Sequence, residues 1–284
     1  MDETPVWMHA EAQTPVDLQV DRPHGARIYD FLLGGKTNYA ADREQAEKVI
    51  ASIPSAAESA RENRAFVHRV VRHLVREHGI RQFLDVGTGI PTSPNLHEVA
   101  QSVDPTARVV YADNDPIVLT HSRALHISSA EGATAYIEAD ATDPDGILDS
   151  RVFRDTLDPE QPVAITLCLL LHWLPETYDA YGMVRRLLDA VPAGSALVIT
   201  HATKDFDERV GKIEEDFEDT GSSVRTRTKA QVGRFFDGLD LVPPGLVAPQ
   251  RWRPEDVEIE AGNSGAVGDG HVPIWSGVGL KPGA

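Results

Sequence analysis

Three aspartates and two glycines are the residues of this chain best suited to holding a small molecule. Asp85 lies in Phe83-Leu84-Asp85-Val86-Gly87-Thr88-Gly89-Ile90-Pro91-Thr92, an apolar run that ends in a glycine turn. Gly87 and Gly89 carry no Cβ to block a nucleotide-like group, and both tolerate the dihedrals of a sharp strand-to-helix turn. A dinucleotide fingerprint needs a third glycine where Thr92 stands, with a helix N-terminus facing pyrophosphate. The pattern here is D-x-G-x-G followed by Pro91, which suits a cofactor that carries adenosine without phosphates. S-adenosylmethionine has that chemistry. Asp113 closes the run Arg108-Val109-Val110-Tyr111-Ala112, about where a ribose-binding carboxylate is expected, and its two oxygens can accept from both ribose hydroxyls. Asn114 adjoins it and belongs to the same set. Asp140 closes Tyr136-Ile137-Glu138-Ala139 and can accept from an adenine amine, with the Ala141 N–H meeting a ring nitrogen. Asp115, before Pro116, reads as a helix cap instead.

A further apolar run ends in Leu169-Leu170-Leu171-His172-Trp173-Leu174-Pro175-Glu176. Trp173 can lie on the adenine or roof the pocket, or it can simply anchor the next helix. His172 suits a general base near a sulfonium, or a solvated turn residue. His201, directly after Leu197-Val198-Ile199-Thr200, is a second candidate base. His68, His73 and His78, interleaved with arginines, read as the polar face of one helix, and no metal site is expected. Asp143 and Asp145 bracket Pro144 in a turn, which argues against a metal loop.

These residues need a sheet to bring them together. Short apolar runs at 82–86, 108–112, 134–138, 163–168, 196–200, about 239–243 and 273–279 read as strands. Segments 94–102, 116–128, 176–190 and 205–219 between them read as helices or partly helical connections. Near-continuous apolar strands alternating with helices predict an α/β fold with a mostly parallel sheet covered on both faces. The last two strands follow one another without a helix, across a Gly-rich loop around 261–270, and suggest an antiparallel closing hairpin. In such a sheet ligands sit at the carboxyl ends of the strands, where the three aspartates fall.

Ahead of the glycine turn lie helical patches at 26–33, stopped by Gly34-Gly35, and from Asn38, a good N-cap type, to about Ile50. A longer helix is expected from Ala60 to His78, with Ser59 and Glu62 as a capping box and Phe66, Val67, Val70, Val71, Leu74 and Val75 as its apolar stripe. Residues 1–20 are polar and Pro-interrupted and read as a flexible tail, leaving 21–284 as a single domain.

The 284 residues suffice for one large core, and with 41% hydrophobic residues the chain should fold. Its formal charge of −17, from 27 basic and 44 acidic side chains, repels phosphate backbones, so no nucleic-acid partner is expected. Cys168 is the single cysteine, which excludes a disulfide framework and Cys-rich zinc sites. Neither a secretory leader nor a membrane-length apolar run is visible, and the expected compartment is the cytoplasm.

The chain resembles a family of S-adenosylmethionine-dependent methyltransferases abundant in actinomycete bacteria and long known as a domain of unknown function. The resemblance runs from about residue 21 to the end. It is carried by Ala26-Arg27-Ile28-Tyr29-Asp30-Phe31-Leu32-Leu33-Gly34-Gly35-Lys36-Thr37-Asn38-Tyr39, by Ala60-Arg61-Glu62-Asn63-Arg64 and by Gly79 to Thr92. Val110 to Pro116 and Gly277-Val278-Gly279-Leu280-Lys281-Pro282 add to it. Thr37 and Tyr39 are mild departures, standing where Asp and Phe are expected. The resemblance implies a class I, Rossmann-like fold of seven strands with the last antiparallel. It also implies an acceptor pocket built from the amino-terminal helices and the insertion around 203–235.

On this reading residues 21–78 are a helical lid over a core of 79–284, excluding water from the cofactor. Arg27, Tyr29 and Asn38 are placed against the methionine end or the acceptor, with Arg27 pairing the methionine carboxylate. Tyr29 and Phe31 can equally dock this helix on the domain. The expected function is methyl transfer to a small molecule, O- or N-directed. His172 or His201 would serve as base for a hydroxyl or amine acceptor, and no base is needed for an ionised one. The alternatives are a non-catalytic S-adenosylmethionine-binding partner protein and a nicotinamide-dependent oxidoreductase. The oligomeric state is not legible.

Overall fold

The computed structural model describes residues 18–125, 128–174, 177–218, 224–254 and 268–283. Three helices precede the sheet: α1 (Gly25–Leu32), α2 (Ala40–Ser52) and α3 (Ala56–His78). Then follow β1 (Gln82–Val86), α4 (Leu96–Val103), β2 (Arg108–Asp113), α5 (Pro116–Leu125) and β3 (Ala133–Glu138). After α6 (Pro144–Asp149) and α7 (Arg151–Thr156) come β4 (Val163–Cys168), α8 (Ala180–Asp189) and β5 (Ala196–Ala202). The last elements are α9 (Gly211–Glu218), α10 (Lys229–Gly233), β6 (Asp240–Leu241) and β7 (Ile274–Leu280).

The strands form a seven-stranded sheet in the order β3-β2-β1-β4-β5-β7-β6. β1 to β5 are parallel, and β7 runs antiparallel to both β5 and β6. This is the class I methyltransferase order, and the strand order reverses between the parallel neighbours β1 and β4, so a crevice opens above their carboxyl ends. Register places the site residues side by side: Asp85 opposite Tyr111 and Thr166, and Asp113 opposite Glu138.

Each face of the sheet carries its own core. Leu84, Val110, Ile165 and Leu197 point to the side covered by α6, α7 and α8, where Ile147, Phe153 and Leu187 meet them. Phe83, Val109, Ala164 and Val198 point to the other side, against Phe66, Val70 and Leu74 of α3 and the buried Trp252. The period of two along the strands thus divides the molecule into two layers around the sheet.

Element boundaries differ from expectation where polar contacts intervene. α3 begins at Ala56, and Ser59 lies inside it, its hydroxyl donating to the His271 carbonyl (3.1 Å) rather than closing a box with Glu62. Tyr39, not Asn38, caps α2, with the Asp42 carboxylate accepting from the Tyr39 N–H (2.8 Å). α6, α7 and α10 were not expected from pattern. At α6 the Asp143 side chain accepts from Gly146 N–H (2.9 Å) and Pro144 takes the first helical turn, so the bracketed turn becomes a helix start. β6 is two residues long because Pro243 and Pro244 cannot continue the ladder. The expected tail lies outside the described residues apart from its last three, as do Pro175, Glu176 and most of the Gly-rich loop.

Candidate functional site

The turn after β1 is built as a cradle. Gly87 (φ 74°) and Gly89 (φ 71°) both occupy the left-handed region. A Cβ on Gly87 would fall 2.7 Å from Leu170 Cδ1, whereas one on Gly89 would make only an ordinary contact, with Ala26 Cβ at 3.9 Å. Leu170 reaches this position because Leu169, at the end of β4, is itself left-handed (φ 51°) and pinned by its N–H to Thr200 Oγ1 (2.9 Å). Beneath lies a cavity of about 650 Å³ bordered by both glycines.

Asp113 organises the turn. Its Oδ2 accepts from the Gly89 N–H and its Oδ1 from the Asp115 N–H, both at 2.9 Å. Burial raises its carboxyl above the ordinary range, and these two N–H groups oppose that. Each oxygen retains a lone pair for a hydroxyl donor. Burial also pushes Asp85 up to about 6, a rise that the Thr166 hydroxyl bonded to Oδ1 partly offsets and the neighbouring Asp113 enhances. Asp140 is held below its usual value: burial works against it, but Thr142 and Asn114 donate to its two oxygens. Asp85, Asp113, Asn114, Asp140 and Ala141 all border the cavity.

The helix after the glycine turn does not offer an anion site. At the start of α4 the Glu98 carboxylate accepts from Asn95, and Asn95 Oδ1 accepts from the Thr92 N–H (3.0 Å). A negative charge already occupies the helix N-terminus where a pyrophosphate would sit.

The opposite wall comes from α1 and α3. Tyr29 OH donates to the Ala60 carbonyl (2.9 Å) and accepts from Asn63 Nδ2 (2.8 Å), and burial pushes its phenol up to about 12. Asn63 is 4% exposed, and its Oδ1 has no partner. Arg64, one residue on, borders the cavity, donates to the Pro94 carbonyl (2.9 Å), and forms no ion pair among the described residues. Burial pulls its guanidinium below its ordinary value, opposed by Tyr29, Tyr111 and Asp85.

His172 is 8% exposed and borders the cavity, so it is not a solvated turn residue. Burial, with Arg227 nearby, pushes its imidazole down to about 3, and its Nδ1 has no partner. At neutral pH it is uncharged and a weak base. Trp173 sits beside it, edge-on to Phe217 of α9 (5.0 Å) and so close to α1 that a Cβ on Gly25 would fall 2.8 Å from its Cε2.

Three expected site residues fall elsewhere. His201 is fully buried away from the cavity: its Nδ1 meets the Ala202 carbonyl (2.8 Å) and its Nε2 takes a bond from Arg227 Nη1 (2.7 Å). With its lone pair occupied, it has none to take a proton. Arg27 pairs with Asp115 (2.9 Å) and donates to the Leu18 and Gln19 carbonyls, anchoring α1 on the start of α5. Asp115 also caps α5, accepting from the Ile117 N–H (2.8 Å). Asn38 donates to Asp30 Oδ2 (2.8 Å) and holds the loop after α1. The histidines of α3 do not form a polar face either. His68 borders the cavity, and His73 is buried against Trp252. Among the described residues, no group of three His, Cys, Asp or Glu is placed to hold a metal.

Asn63 and Arg64, which the sequence did not single out as candidate site residues, line the cavity. A signal was present: Ala60, Asn63, Arg64, Val67 and His68 recur at helical spacing on one side of α3, next to its apolar stripe, and all five border the cavity.

A seven-stranded sheet of this order, with a glycine cradle, acids at three successive strand ends and no phosphate site, defines a class I methyltransferase. A family model described as S-adenosyl methyltransferase matches residues 11–282, and the chain belongs to that family. Its cofactor is S-adenosylmethionine. A solved DUF574 family protein from Streptomyces avermitilis MA-4680 is 45% identical, with a TM-score of 0.89, over 94% of this chain and 100% of that one. A second solved structure, from Thermobifida fusca YX, is 39% identical with a TM-score of 0.84, over 96% and 100%. No curated protein matches the chain. Among the described residues no helix is long and apolar enough to cross a membrane.

Proposed function

We propose that the protein transfers the methyl group to a small-molecule acceptor, within the cavity between the strand ends and α1, α3 and α9. The cavity's size supports this reading: its volume of about 650 Å³ lies within the roughly 300–1,000 Å³ of small-molecule sites, and residues of α1, α3 and α9 line it. Asp113 is assigned to the ribose hydroxyls, Asp140 and Ala141 to the adenine, and Gly87 and Gly89 to the close approach of the nucleoside. Arg64, cavity-lining and without an ion-pair partner among the described residues, is assigned to the methionine carboxylate, in place of Arg27. Tyr29 holds Asn63 so that its open Oδ1 faces a donor.

When bound, S-adenosylmethionine supplies a sulfonium-activated methyl carbon. That carbon would pass to the acceptor's lone pair with the carbon–sulfur bonding electrons left on sulfur, and an O–H or N–H acceptor would release its proton to bulk solvent as the methylated product leaves. The protein's part is alignment and exclusion of water. His172, neutral and buried, orients the acceptor through a hydrogen bond rather than deprotonating it. Residues 21–78 act as the cover. Incubation with methyl-tritiated S-adenosylmethionine and an actinomycete cell extract tests the acceptor class. After chromatographic removal of the labelled donor, a new labelled small molecule should appear that is missing when the extract is incubated without the protein, and added label confined to protein or nucleic acid would contradict the proposal.

A further inference from the structure

The cavity is divided by charge. Among the described residues its Asp, Glu, Lys and Arg liners are Asp85, Asp113, Asp140 and Arg64, which border the strand-end half or face it. The other half is walled by Ile28, Val49, Ile53, Val210, Phe217 and Val224, which cluster apart from both sheet cores. All six are buried and all six border the cavity. Among the described side chains of α2, α9 and the segment 224–226, no Lys, Arg, Asp or Glu joins the lining. Glu214 of α9 is turned to Thr226, accepting from its N–H and its hydroxyl (2.6 Å each). Trp173 and His172 stand between the halves. Leu170, just before them in sequence, closes over Gly87, and Trp173 packs on Phe217.

An ion entering such a lobe would lose its hydration and find no counterion, a cost that an uncharged apolar molecule does not bear. Removing apolar surface from water gains roughly 25 cal/mol per Å², so the lobe selects by shape and lack of charge. We infer that the methyl acceptor is an uncharged, predominantly apolar molecule of aromatic or alicyclic type, seated among α1, α2 and α9 with one polar group turned back toward His172. This rests on reading the cavity as a methyl-transfer site. It excludes acceptors whose body carries a carboxylate, phosphate or ammonium.

The test is calorimetric titration of the full chain, saturated with S-adenosylhomocysteine, with 2-naphthol and with 6-hydroxy-2-naphthoate. These differ in one carboxylate. The naphthol should bind and the naphthoate should bind at least about tenfold more weakly, as expected for desolvating an unpaired charge. Val49→Lys, which adds a cation to the lobe, should narrow or reverse that preference while S-adenosylhomocysteine affinity stays unchanged. Should that variant not fold, the ligand pair on the unmodified protein decides alone. Equal or tighter binding of the naphthoate, or no binding of naphthol to the loaded protein, overturns the inference. Failure of S-adenosylhomocysteine to bind would instead overturn the assignment of the strand-end half, and the same two ligands, titrated alone, would still test the apolar half.

Discussion

At the scale of single residues the account turns on which charges are already satisfied. Arg27 has Asp115, whereas Arg64 has carbonyl contact only, so an anionic ligand group is matched to Arg64. Arg64→Met should weaken S-adenosylhomocysteine binding by about 1.5–3 kcal/mol, roughly 10- to 150-fold, the worth of a charge-assisted hydrogen bond. Binding of 5′-methylthioadenosine, which lacks the carboxylate, should be unmoved. Equal losses for both ligands would count against the assignment. Asp113→Asn should cost both ligands a similar amount, measured by the same titration, because the ribose is common to them. Unchanged affinity would remove Asp113 from the ribose. The three strand-end acids were legible because type and position coincide there. Arg64 was not, because an arginine on a helix flank has the same sequence appearance whether it faces water or a cavity.

At the scale of elements, the amino-terminal helices are held by buried polar contacts rather than by apolar pattern alone. The Arg27–Asp115 pair is the clearest case, with side chains 3% and 0% exposed. Arg27→Met should lower unfolding stability by about 3–5 kcal/mol, since it takes the guanidinium from the buried Asp115 and leaves that carboxylate only the His24 ring (3.2 Å) and the Ile117 N–H. Urea denaturation reads this directly, and a loss below about 1 kcal/mol would mean that α1 does not depend on the pair. The strands and the major helices were readable from periodicity, including the antiparallel end of the sheet. The short helices α6, α7 and α10 were not. Each is five or six residues long and specified by its cap, as Asp143 and Thr228 specify α6 and α10, which periodicity over so few residues cannot report. The insertion carrying α9 gave no chemical signal for a physical reason: its contribution is an apolar wall, and apolar residues look alike whether they face a core or a ligand.

At the scale of the whole molecule, buried histidines set the response to acid. His172 is pushed down to about 3 and His68 to about 4, and His201 lies well below its ordinary value, in each case by burial first. All three lie below the unfolded value of 6.5, so unfolding takes up protons. Their contribution to stability is complete above pH 6.5 and is lost as pH falls toward 3. Asp85, Asp113 and Glu62, each raised by burial, act in the opposite sense, the Asp85 contribution being present below 3.8 and lost as pH rises through about 6. The urea midpoint should therefore rise more steeply from pH 4.5 to pH 7 in the unsubstituted protein than in His172→Phe, which removes the group pushed down to about 3. A slope unaffected by the substitution would mean that His172 does not titrate on unfolding. The class of the protein is decided by what the cradle accepts. Glu98 closes the helix N-terminus to phosphate while the strand ends remain open to a nucleoside. The most direct measurement is therefore titration of the purified chain with S-adenosylhomocysteine and, separately, with NAD. The account predicts binding of the sulfur ligand in roughly the micromolar range and no heat from NAD; binding of NAD, or of neither, would contradict it.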